Sequence, residues 1–357
     1  MLLPSTLLSA KSFIMPSTVK KSLLPIFILS LCLNCYALPS TPGLQLPSHL
    51  VTQFPHIAWI ENTAARSNGD LLFTELKPQP ILYTVINPAS TSPNVSVIHD
   101  FSLNETQSLL GIAETSNDVF VVVSAANSTG LFVAWSVNLK SKPGPHISKI
   151  TELVGAKLPN GVTNVPGCPE QVLIADSFAG LVWSLNTVTK SLQVAVQVPE
   201  MVPPANITGR TPVGVNGIKM HDNYLYWTNS ALATVYRIKI GAGGGTAEKQ
   251  AKVEVVAKLP VSFVDDFVIN DQGVLFAMAS SDNQVWATSA RPGGRTVAVI
   301  GGKDQATVSG ATAGAMGRGK GDKHILYVVT SGADIHGNLT ATEGGKVVAV
   351  DTRSFSI

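Results

Sequence analysis

Cysteine is scarce in this chain, and the positions of the few cysteines exclude one route to stability. Two of the three, Cys32 and Cys35, fall within an apolar N-terminal segment, and only Cys168 follows it. A chain that has lost this segment cannot form an internal disulfide. Its stability must therefore come from packing and not from crosslinks.

Charge is also scarce, at 13% of residues, and neither sign dominates. The formal net charge is +2, but the first 37 residues contain three lysines and no acid, so the remaining chain carries −1. A surface of this kind favours neither nucleic acid nor an anionic membrane as a partner. The sequence points instead to a small-molecule partner.

Long apolar runs are absent except for "SLLPIFILSLCLNCYA" near the N-terminus. This run follows Lys20 and Lys21, ends in small residues, and is typical of a secretory signal peptide. It is short for a membrane span, and the polar "LPSTPG" follows it. We expect residues 1–37 to be removed and the mature chain to be secreted with no membrane anchor. Five N-x-S/T sequons suit a secreted glycoprotein and begin at Asn94, Asn104, Asn127, Asn206 and Asn338.

What the chain does contain is a repeat of about fifty residues. Apolar runs begin at residues 71, 119, 172, 225, 274 and 325 and read "LLFTE", "VFVVV", "VLIAD", "LYWTN", "VLFAM" and "ILYVV". Each is followed by a second strand-like segment, such as "LVWSLN" or "TVYRIKI", and most units add a third. Helical periodicity is almost lacking. Six such units predict an all-β chain, residues 38–357, folded as a six-bladed β-propeller with four-stranded antiparallel blades.

Closure of the ring and the aromatic residues fit this fold. The segment "LQLPSHLVTQF" before the first unit is expected to supply a closing strand to the last blade, which removes exposed sheet edges. Glycine-rich 241–250 and 317–324 are interpreted as inter-strand loops, and neither has the spacing of a nucleotide-binding loop. We expect packing between blades for eight aromatic residues: Phe73, Tyr83, Trp183, Trp227, Tyr236, Phe276, Trp286 and Tyr327.

We expect the residues just before each innermost strand to crowd around one mouth of the central channel, and polar residues recur at these positions. Four of the six blades contribute them: Glu61 and Asn62, Asn160, Asn216, and Asp265 and Asp266. Converging carboxylate and amide oxygens suit a hard divalent cation. The alternative is that Asn-Gly and Asp at these places serve ordinary turns. Trp59, Ile60, Phe263 and Phe267 add an apolar rim to the predicted mouth.

The units "ENTAARSNGDLLFT", "VNGIKMHDNYLYWTNS", "DDFVINDQGVLFAMAS" and "GAMGRGKGDKHILYVVTS" resemble the six-bladed regucalcin and gluconolactonase-like propellers, particularly their secreted fungal branch. The resemblance implies that Glu61, Asn216 and Asp266 hold Ca²⁺ or Zn²⁺ and that Asn160 contacts substrate. Lactonases of that family usually carry Glu-Gly-Pro and Pro-Asp-Gly where this chain has "ENT" and "DDF". Because glycine lets a backbone approach a ligand closely, Asn62 and Phe267 should reshape the mouth.

Three functions are open at this stage. The first is a metal-dependent lactone or ester hydrolase, in which Asp266 or Asp265 is the nearest base. The second comes from the fungal branch, whose members include enzymes that guide hetero-Diels-Alder cycloadditions in natural-product biosynthesis. The third is a non-enzymatic binding propeller.

The apolar rim and the substituted glycines favour the cycloaddition. That reaction needs two partners held in register, an advantage that reaches about 7 to 11 kcal/mol in well-oriented cases. It also needs a few hydrogen-bond donors, for which Asn62, Asn160 and Asn216 are available. We expect Asp266, Asn160 and Asn62 to be catalytic, and Trp59, Phe263 and Phe267 to bind substrate.

Overall fold

The computed structural model describes residues 44–55, 57–126, 130–205, 212–332 and 342–357. Within them lie six four-stranded antiparallel sheets. The innermost strand of each sheet contacts the innermost strands of two neighbouring sheets, and the last sheet contacts the first. This cyclic order confirms the six-bladed propeller predicted from the repeat.

In blades 1 to 5 the strands follow one another along the chain from the channel outward. Blades 1 to 3 contain β2 (Trp59–Ala65), β3 (Leu71–Lys77), β4 (Ile81–Ile86) and β5 (Asn94–Asp100); β6 (Thr106–Ser116), β7 (Val119–Ala126), β8 (Phe132–Asn138) and β9 (His146–Glu152); β10 (Pro159–Val165), β11 (Cys168–Asp176), β12 (Leu181–Asn186) and β13 (Leu192–Val196). Blades 4 and 5 contain β14 (Val215–His221), β15 (Tyr224–Asn229), β16 (Thr234–Lys239) and β17 (Glu254–Lys258); β18 (Phe267–Ile269), β19 (Val274–Ala279), β20 (Gln284–Ser289) and β21 (Val297–Gly301). Short 3₁₀ helices cover Phe101–Asn104, Pro199–Met201 and Ser280–Asp282.

Blade 6 is completed by the N-terminal segment of the described chain. It contains β22 (Ala311–Met316), β23 (Ile325–Thr330) and β24 (Lys346–Asp351), and β1 (Ser48–Gln53) pairs antiparallel with β24 as its fourth strand. The closing strand expected from "LQLPSHLVTQF" is therefore confirmed. β1 therefore pairs with the outer edge of β24, which would otherwise be unpaired.

The apolar runs that define the repeat are the second strand of each blade. They are buried on both faces between neighbouring blades, as in β19, where all six residues are buried. The outermost strands are more exposed, as in β5. Continuous apolar sequence is thus required for β19, whereas β5 tolerates polar residues.

The aromatic residues pack as expected. Phe73, Trp227, Phe276 and Tyr327 lie on second strands and are fully buried. The ring of Trp227 stacks on that of Tyr236 with centroids 5.5 Å apart. The other three third-strand rings, Tyr83, Trp183 and Trp286, are partly buried against the cores between blades.

The two glycine-rich segments are loops, as predicted. Residues 241–250 connect β16 to β17, and residues 317–324 connect β22 to β23. No helix within the described residues is long and apolar enough to cross a membrane. Residues 1–37, predicted to be the signal peptide, lie outside the described residues.

Candidate functional site

Each blade has one extra residue at the start of its innermost strand or, in blade 5, just before that strand. In β2, Ile60 pairs with Glu75 and Asn62 pairs with Thr74, so Glu61 has no partner in the ladder. A β-bulge of this kind interrupts the regular alternation of side chains and re-aims one of them. The side chain of Glu61 therefore does not follow the regular alternation between the two faces of the sheet.

The same irregularity recurs around the ring. In blades 2, 3 and 4 two residues face one on the neighbouring strand, and in blade 6 Thr312 is the extra residue. In blade 5 two residues, Asp265 and Asp266, face the single residue Met278. The Asp265 amide donates to the Met278 carbonyl, and the Met278 amide donates to the Asp266 carbonyl. The residues at the bulges of blades 2, 3 and 4 are Leu110 and Gly111, Asn160 and Gly161, and Asn216 and Gly217.

This finding corrects the expected position of the site residues. Glu61, Asn62, Asn160 and Asn216 lie within the innermost strands and not ahead of them. Only Asp265 and Asp266 precede their strand, β18. The structure nevertheless brings the carboxylates and amides together as expected, because equivalent bulges in a closed ring face the same end of the channel.

Glycine in these bulges allows the innermost strands to approach closely. A Cβ added to Gly161 would lie 2.5 Å from the Asn216 carbonyl oxygen. A Cβ added to Gly217 would lie 2.2 Å from Asp266 Oδ1. Real Cβ atoms do not make contacts this short, so glycine at these two positions is required for the close packing of neighbouring innermost strands.

Asp266 is at the centre of a hydrogen-bonded group. Lys219 Nζ lies 2.7 Å from Asp266 Oδ1 and 2.9 Å from Oδ2. Asn62 Nδ2 donates to Oδ2 at 3.2 Å, and the backbone amide of Phe267 donates to Oδ1 at 2.7 Å. The Asp266 side chain is 4% exposed and the Lys219 side chain 25%, so the carboxylate is enclosed and the lysine is partly exposed.

Glu61 lies beside this group in an apolar setting. Its Oε2 accepts a hydrogen bond of 2.6 Å from Trp59 Nε1. Burial raises the pKa of Glu61 to about 7, the hydrogen bond from Trp59 opposes that rise, and the negative charge of Asp266 adds to it. Near neutral pH this residue is therefore a mixture of a carboxylic acid and a carboxylate.

Asp265 is the third carboxyl group of the site. Its Oδ1 accepts a 2.8 Å hydrogen bond from Asn216 Nδ2, which also donates to Ser230 Oγ at 2.9 Å. Burial, followed by the charges of Glu61 and Asp266, raises the pKa of Asp265 well above its usual value. These shifts favour its protonated form, which can donate a hydrogen bond.

The remaining predicted residues are placed differently. Asn160 is 7% exposed, and its side-chain amide makes no hydrogen bond to the described part of the chain. Trp59 and Phe263 are partly exposed, as expected for a rim. Phe267 and Ile60, expected on the same rim, are completely buried, because their strands turn these side chains into the cores between blades.

Lys219 is the functional residue that the sequence interpretation missed. It lies three residues after Asn216 on β14, and its Nζ is 5.4 Å from the centroid of the Phe267 ring. The sequence signal was a lysine in the innermost strand itself, "VNGIKMH". Its pairing with Asp266, 47 residues away, depends on the contact between blades 4 and 5.

The arrangement does not fit a divalent cation. A hard cation needs free oxygen lone pairs on six to eight ligands. Here the ammonium of Lys219 lies against both oxygens of Asp266, and amide N–H groups face Asp265 and Asp266. Among the described residues, no group of three or more Asp, Glu, His or Cys side chains is arranged to hold a metal ion.

Apolar side chains are exposed at the same end of the blades. They occur on connections that lead into innermost strands or join second to third strands. Six residues of this kind are Ile57, Leu103, Val154, Phe178, Val202 and Leu232, with exposures from 38% to 79%. A polar centre with apolar connections around it suits a mainly apolar molecule that carries a polar group.

The sequons were predicted as glycosylation sites. Asn94, on β5, and Asn104, in the first 3₁₀ helix, are exposed. The other three, Asn127, Asn206 and Asn338, lie outside the described residues.

Two curated proteins resemble the chain along most of its length. One, "Putative hetero-Diels-Alderase asR5" from Sarocladium schorii, is 27% identical over 344 residues, which cover 87% of this chain and 84% of that protein. The other, "Putative hetero-Diels-Alderase" from Phoma sp, is 29% identical over 323 residues, which cover 81% and 88%. No family model matches the chain.

Solved structures share the fold. A luciferin-regenerating enzyme superposes with a TM-score of 0.60 at 13% identity, covering 86% of this chain and 95% of that one. The calcium-binding protein regucalcin from Agrobacterium tumefaciens gives 0.55 at 11% identity, covering 87% and 95%. The resemblance stated from the sequence motifs is confirmed in sequence by the two curated relatives and in fold by regucalcin.

Proposed function

We propose that this chain, a six-bladed propeller related in sequence to the two hetero-Diels-Alderases, is an enzyme that guides a hetero-Diels-Alder cycloaddition in its central site. The relatives carry the proposal, since they match the chain over more than four fifths of its length. Such a reaction belongs to natural-product biosynthesis. The paragraphs below derive what the site residues contribute.

The site offers hydrogen-bond donors and no nucleophile of the cysteine or histidine type among its described residues. A hetero-Diels-Alder reaction joins an oxygen-containing diene to an alkene in one step, with no group transferred and no proton lost. A donor on the diene oxygen withdraws electron density and lowers the barrier. Lys219 Nζ, the free amide of Asn160 and the protonated forms of Asp265 and Glu61 can supply that donor.

The rest of the substrate is held by apolar contact. Trp59 and Phe263 are partly exposed, and Trp59 lies beside the carboxyl group of Glu61. Trp59 is fixed by its hydrogen bond to Glu61 and by Lys77, whose Nζ lies 4.8 Å from the centroid of the indole ring. Two apolar reactants packed against such a rim meet in a restricted set of orientations, which sets the stereochemistry of the product.

A metal-dependent lactonase is the second candidate, because solved structures of regucalcin and of a protein titled as a gluconolactonase share the fold. That chemistry would use Ca²⁺ or Zn²⁺ held by Glu61, Asn216 and Asp266. The donor set described above opposes it. A non-enzymatic binding propeller is the third candidate, and the enclosed carboxyl groups oppose it because burying them costs free energy that a binding surface does not need.

The test is a cycloaddition assay with purified protein. An ortho-quinone methide is released in situ in the presence of an electron-rich alkene, and the products are separated by chiral chromatography. We expect acceleration and one dominant stereoisomer. Lys219→Met should lower the rate about 10- to 100-fold, the range for a lost charged hydrogen bond. Lys149→Met, which removes an exposed surface lysine, is the control.

Two outcomes of this assay would contradict the proposal. One is a racemic product formed at the uncatalysed rate. The other is hydrolysis of an added lactone that stops with chelator and disappears in Glu61→Gln and Asp266→Asn, which would establish the lactonase.

We also propose that the chain enters the secretory pathway. The N-terminal apolar segment and the exposed sequons at Asn94 and Asn104 support this. Expression in a fungal host should deliver a shortened protein to the medium, and endoglycosidase should lower its mass. A protein that keeps residues 1–37 and stays inside the cell would contradict the proposal.

A further inference from the structure

A second cavity lies at the end of the blades opposite the candidate site. It has a volume of about 1150 Å³ and is formed by the connection from β18 to β19, the connection from β22 to β23, and the residues that follow β24. The bulges of the candidate site lie just before β18 and at the start of β22, whereas Ile269 and Met316, which line this cavity, are the last residues of those strands. The cavity is therefore at the other end of the same strands.

The floor of this cavity is apolar. Val268, Met316 and Phe355 line it and pack against the core between blades 5 and 6. Ile269 also lines it and packs against the core between blades 4 and 5. All four side chains are only partly buried, so apolar surface remains open to a ligand.

Cationic side chains surround the floor, and one of them is unpaired. Lys323 lines the cavity, is exposed, and makes no ion pair or side-chain hydrogen bond within the described residues. Arg318 and Arg353 also line it and form ion pairs with Glu114 and Asp351. Those pairs and the other hydrogen bonds of the two arginines leave Nη2 of Arg318 and Nη1 of Arg353 free to donate.

The unpaired lysine is held in place by its neighbours in the chain. The Asp322 side chain is buried and accepts a 3.0 Å hydrogen bond from the Tyr327 hydroxyl. The His324 carbonyl accepts a 2.6 Å hydrogen bond from Thr352 Oγ1. Lys323 thus lies between two anchored residues, which lowers the conformational entropy that is lost when a ligand binds.

We propose that this cavity binds an amphipathic anion, namely an apolar chain or ring that carries one carboxylate. The apolar body covers the floor, and the carboxylate accepts hydrogen bonds from Lys323 Nζ and from the free arginine N–H groups. A single negative charge is favoured over a phosphate dianion, because Asp271 also lines the cavity and repels a second charge. The volume is sufficient, since sites for drug-sized ligands measure about 300 to 1,000 Å³.

The test is a titration of the purified full chain with decanoate, followed by calorimetry below the concentration at which decanoate forms micelles. We expect saturable binding at one site. Two further probes separate the two parts of the recognition. Acetate carries the carboxylate without the chain, and decyltrimethylammonium carries the chain with the opposite charge. Both should bind at least about 10-fold more weakly than decanoate.

Substitutions locate the bound decanoate. Lys323→Glu should weaken its binding at least about 10-fold, the range for a lost hydrogen bond to a charged group. Lys320→Glu is the matched control and should bind as wild type, because Lys320 lies in the same connection but outside the cavity. Met316→Gln, which makes the floor polar, should also weaken binding. Circular dichroism verifies that each variant is folded.

Three results would overturn the inference. The first is a wild type that gives no saturable binding of decanoate. The second is equal affinity of wild type and Lys323→Glu, or an equal loss in Lys320→Glu, which would show that the Lys323 ammonium does not recognise the carboxylate. The third is a loss in Lys219→Met with none in Lys323→Glu, which would place decanoate in the candidate site. The cycloaddition assay contains no decanoate, so its failure leaves this inference unchanged.

Discussion

At the scale of single residues, two buried glutamates allow effects on stability to be distinguished from effects on function, because only one of them belongs to the site. Glu61 belongs to the site, whereas Glu75 lies behind it on β3, where its Oε2 accepts a 3.1 Å hydrogen bond from Tyr83. Burial raises the pKa of each to about 7. The free-energy cost of ionising the carboxyl group is therefore similar for the two residues, but only Glu61 lies near Asp265 and Asp266.

The first prediction concerns the pH dependence of stability. Unfolded Glu61 releases its proton near the usual value of 4.5, while the folded state holds it to about 7. Wild type should lose stability as pH rises through this window, and Glu61→Gln should remove up to about 3 kcal/mol of that loss. Urea denaturation at pH 4.5, 6 and 8 measures it.

Glu75→Gln is the matched control for this prediction. It should flatten the stability profile in the same way, since burial also raises the pKa of its carboxyl group to about 7. It should leave the cycloaddition rate unchanged, while Glu61→Gln alters it. Parallel pH profiles for wild type and Glu61→Gln would show that the glutamate titrates normally in the folded chain.

At the scale of elements, the bulge is the unit that builds the site. Each blade has a bulge at the start of its innermost segment, where blades 1, 3, 4, 5 and 6 place oxygen-bearing side chains, whereas blade 2 places Leu110. The regular pleat would alternate these side chains between the two faces of each sheet. The bulge breaks that alternation at one level of the ring, so side chains from different blades meet at the channel.

The second prediction tests this close packing. Gly217→Ala should move Asp266 away from Lys219, because the new Cβ would lie 2.2 Å from Oδ1. We expect a loss of about 1 to 3 kcal/mol in unfolding free energy and a marked loss of activity. Gly144→Ala, whose Cβ meets nothing within 4 Å, is the control and should be neutral in both measurements. Full activity in Gly217→Ala would contradict the described contact.

At the scale of the whole molecule, the segment before the first blade joins three blades. The Leu46 amide donates to the Val299 carbonyl of blade 5 at 2.8 Å, and β1 completes blade 6. Phe54 then packs on Tyr83 of blade 1, with ring centroids 5.0 Å apart. Because Cys168 is free, no disulfide closes the described part of the ring, and this segment holds the first and last blades together.

The third prediction follows from that role. A chain that begins at Pro55 loses the β1 ladder and the buried side chains of Leu46, Val51 and Phe54, each worth about 1.5 to 3 kcal/mol. It should be destabilised by at least about 5 kcal/mol, measured by urea denaturation. A chain that begins at Leu44 keeps all of these contacts and is the stable reference for this comparison. Equal stability of the two would mean that the ring does not need its closing strand.

Much of the fold was predictable from sequence because the second strand of each blade is buried on both faces and must be continuously apolar. The innermost strands were harder to recognise. Their short segments, such as β18 with three residues, carry polar side chains and glycine, which resemble turns. The aromatic packing and the closing strand were also predicted, since both follow from the repeat itself.

The sequence by itself determined that six blades form, and that carboxyl and amide groups recur at one position of the repeat, since a periodic chain places equivalent residues at equivalent heights. Only the tertiary structure decided what those groups do. It paired Lys219 with Asp266 and buried Phe267, because contacts between neighbouring blades join residues about fifty positions apart and bulges choose which side chains face the channel. Such pairing depends on distance in space, which no local pattern encodes.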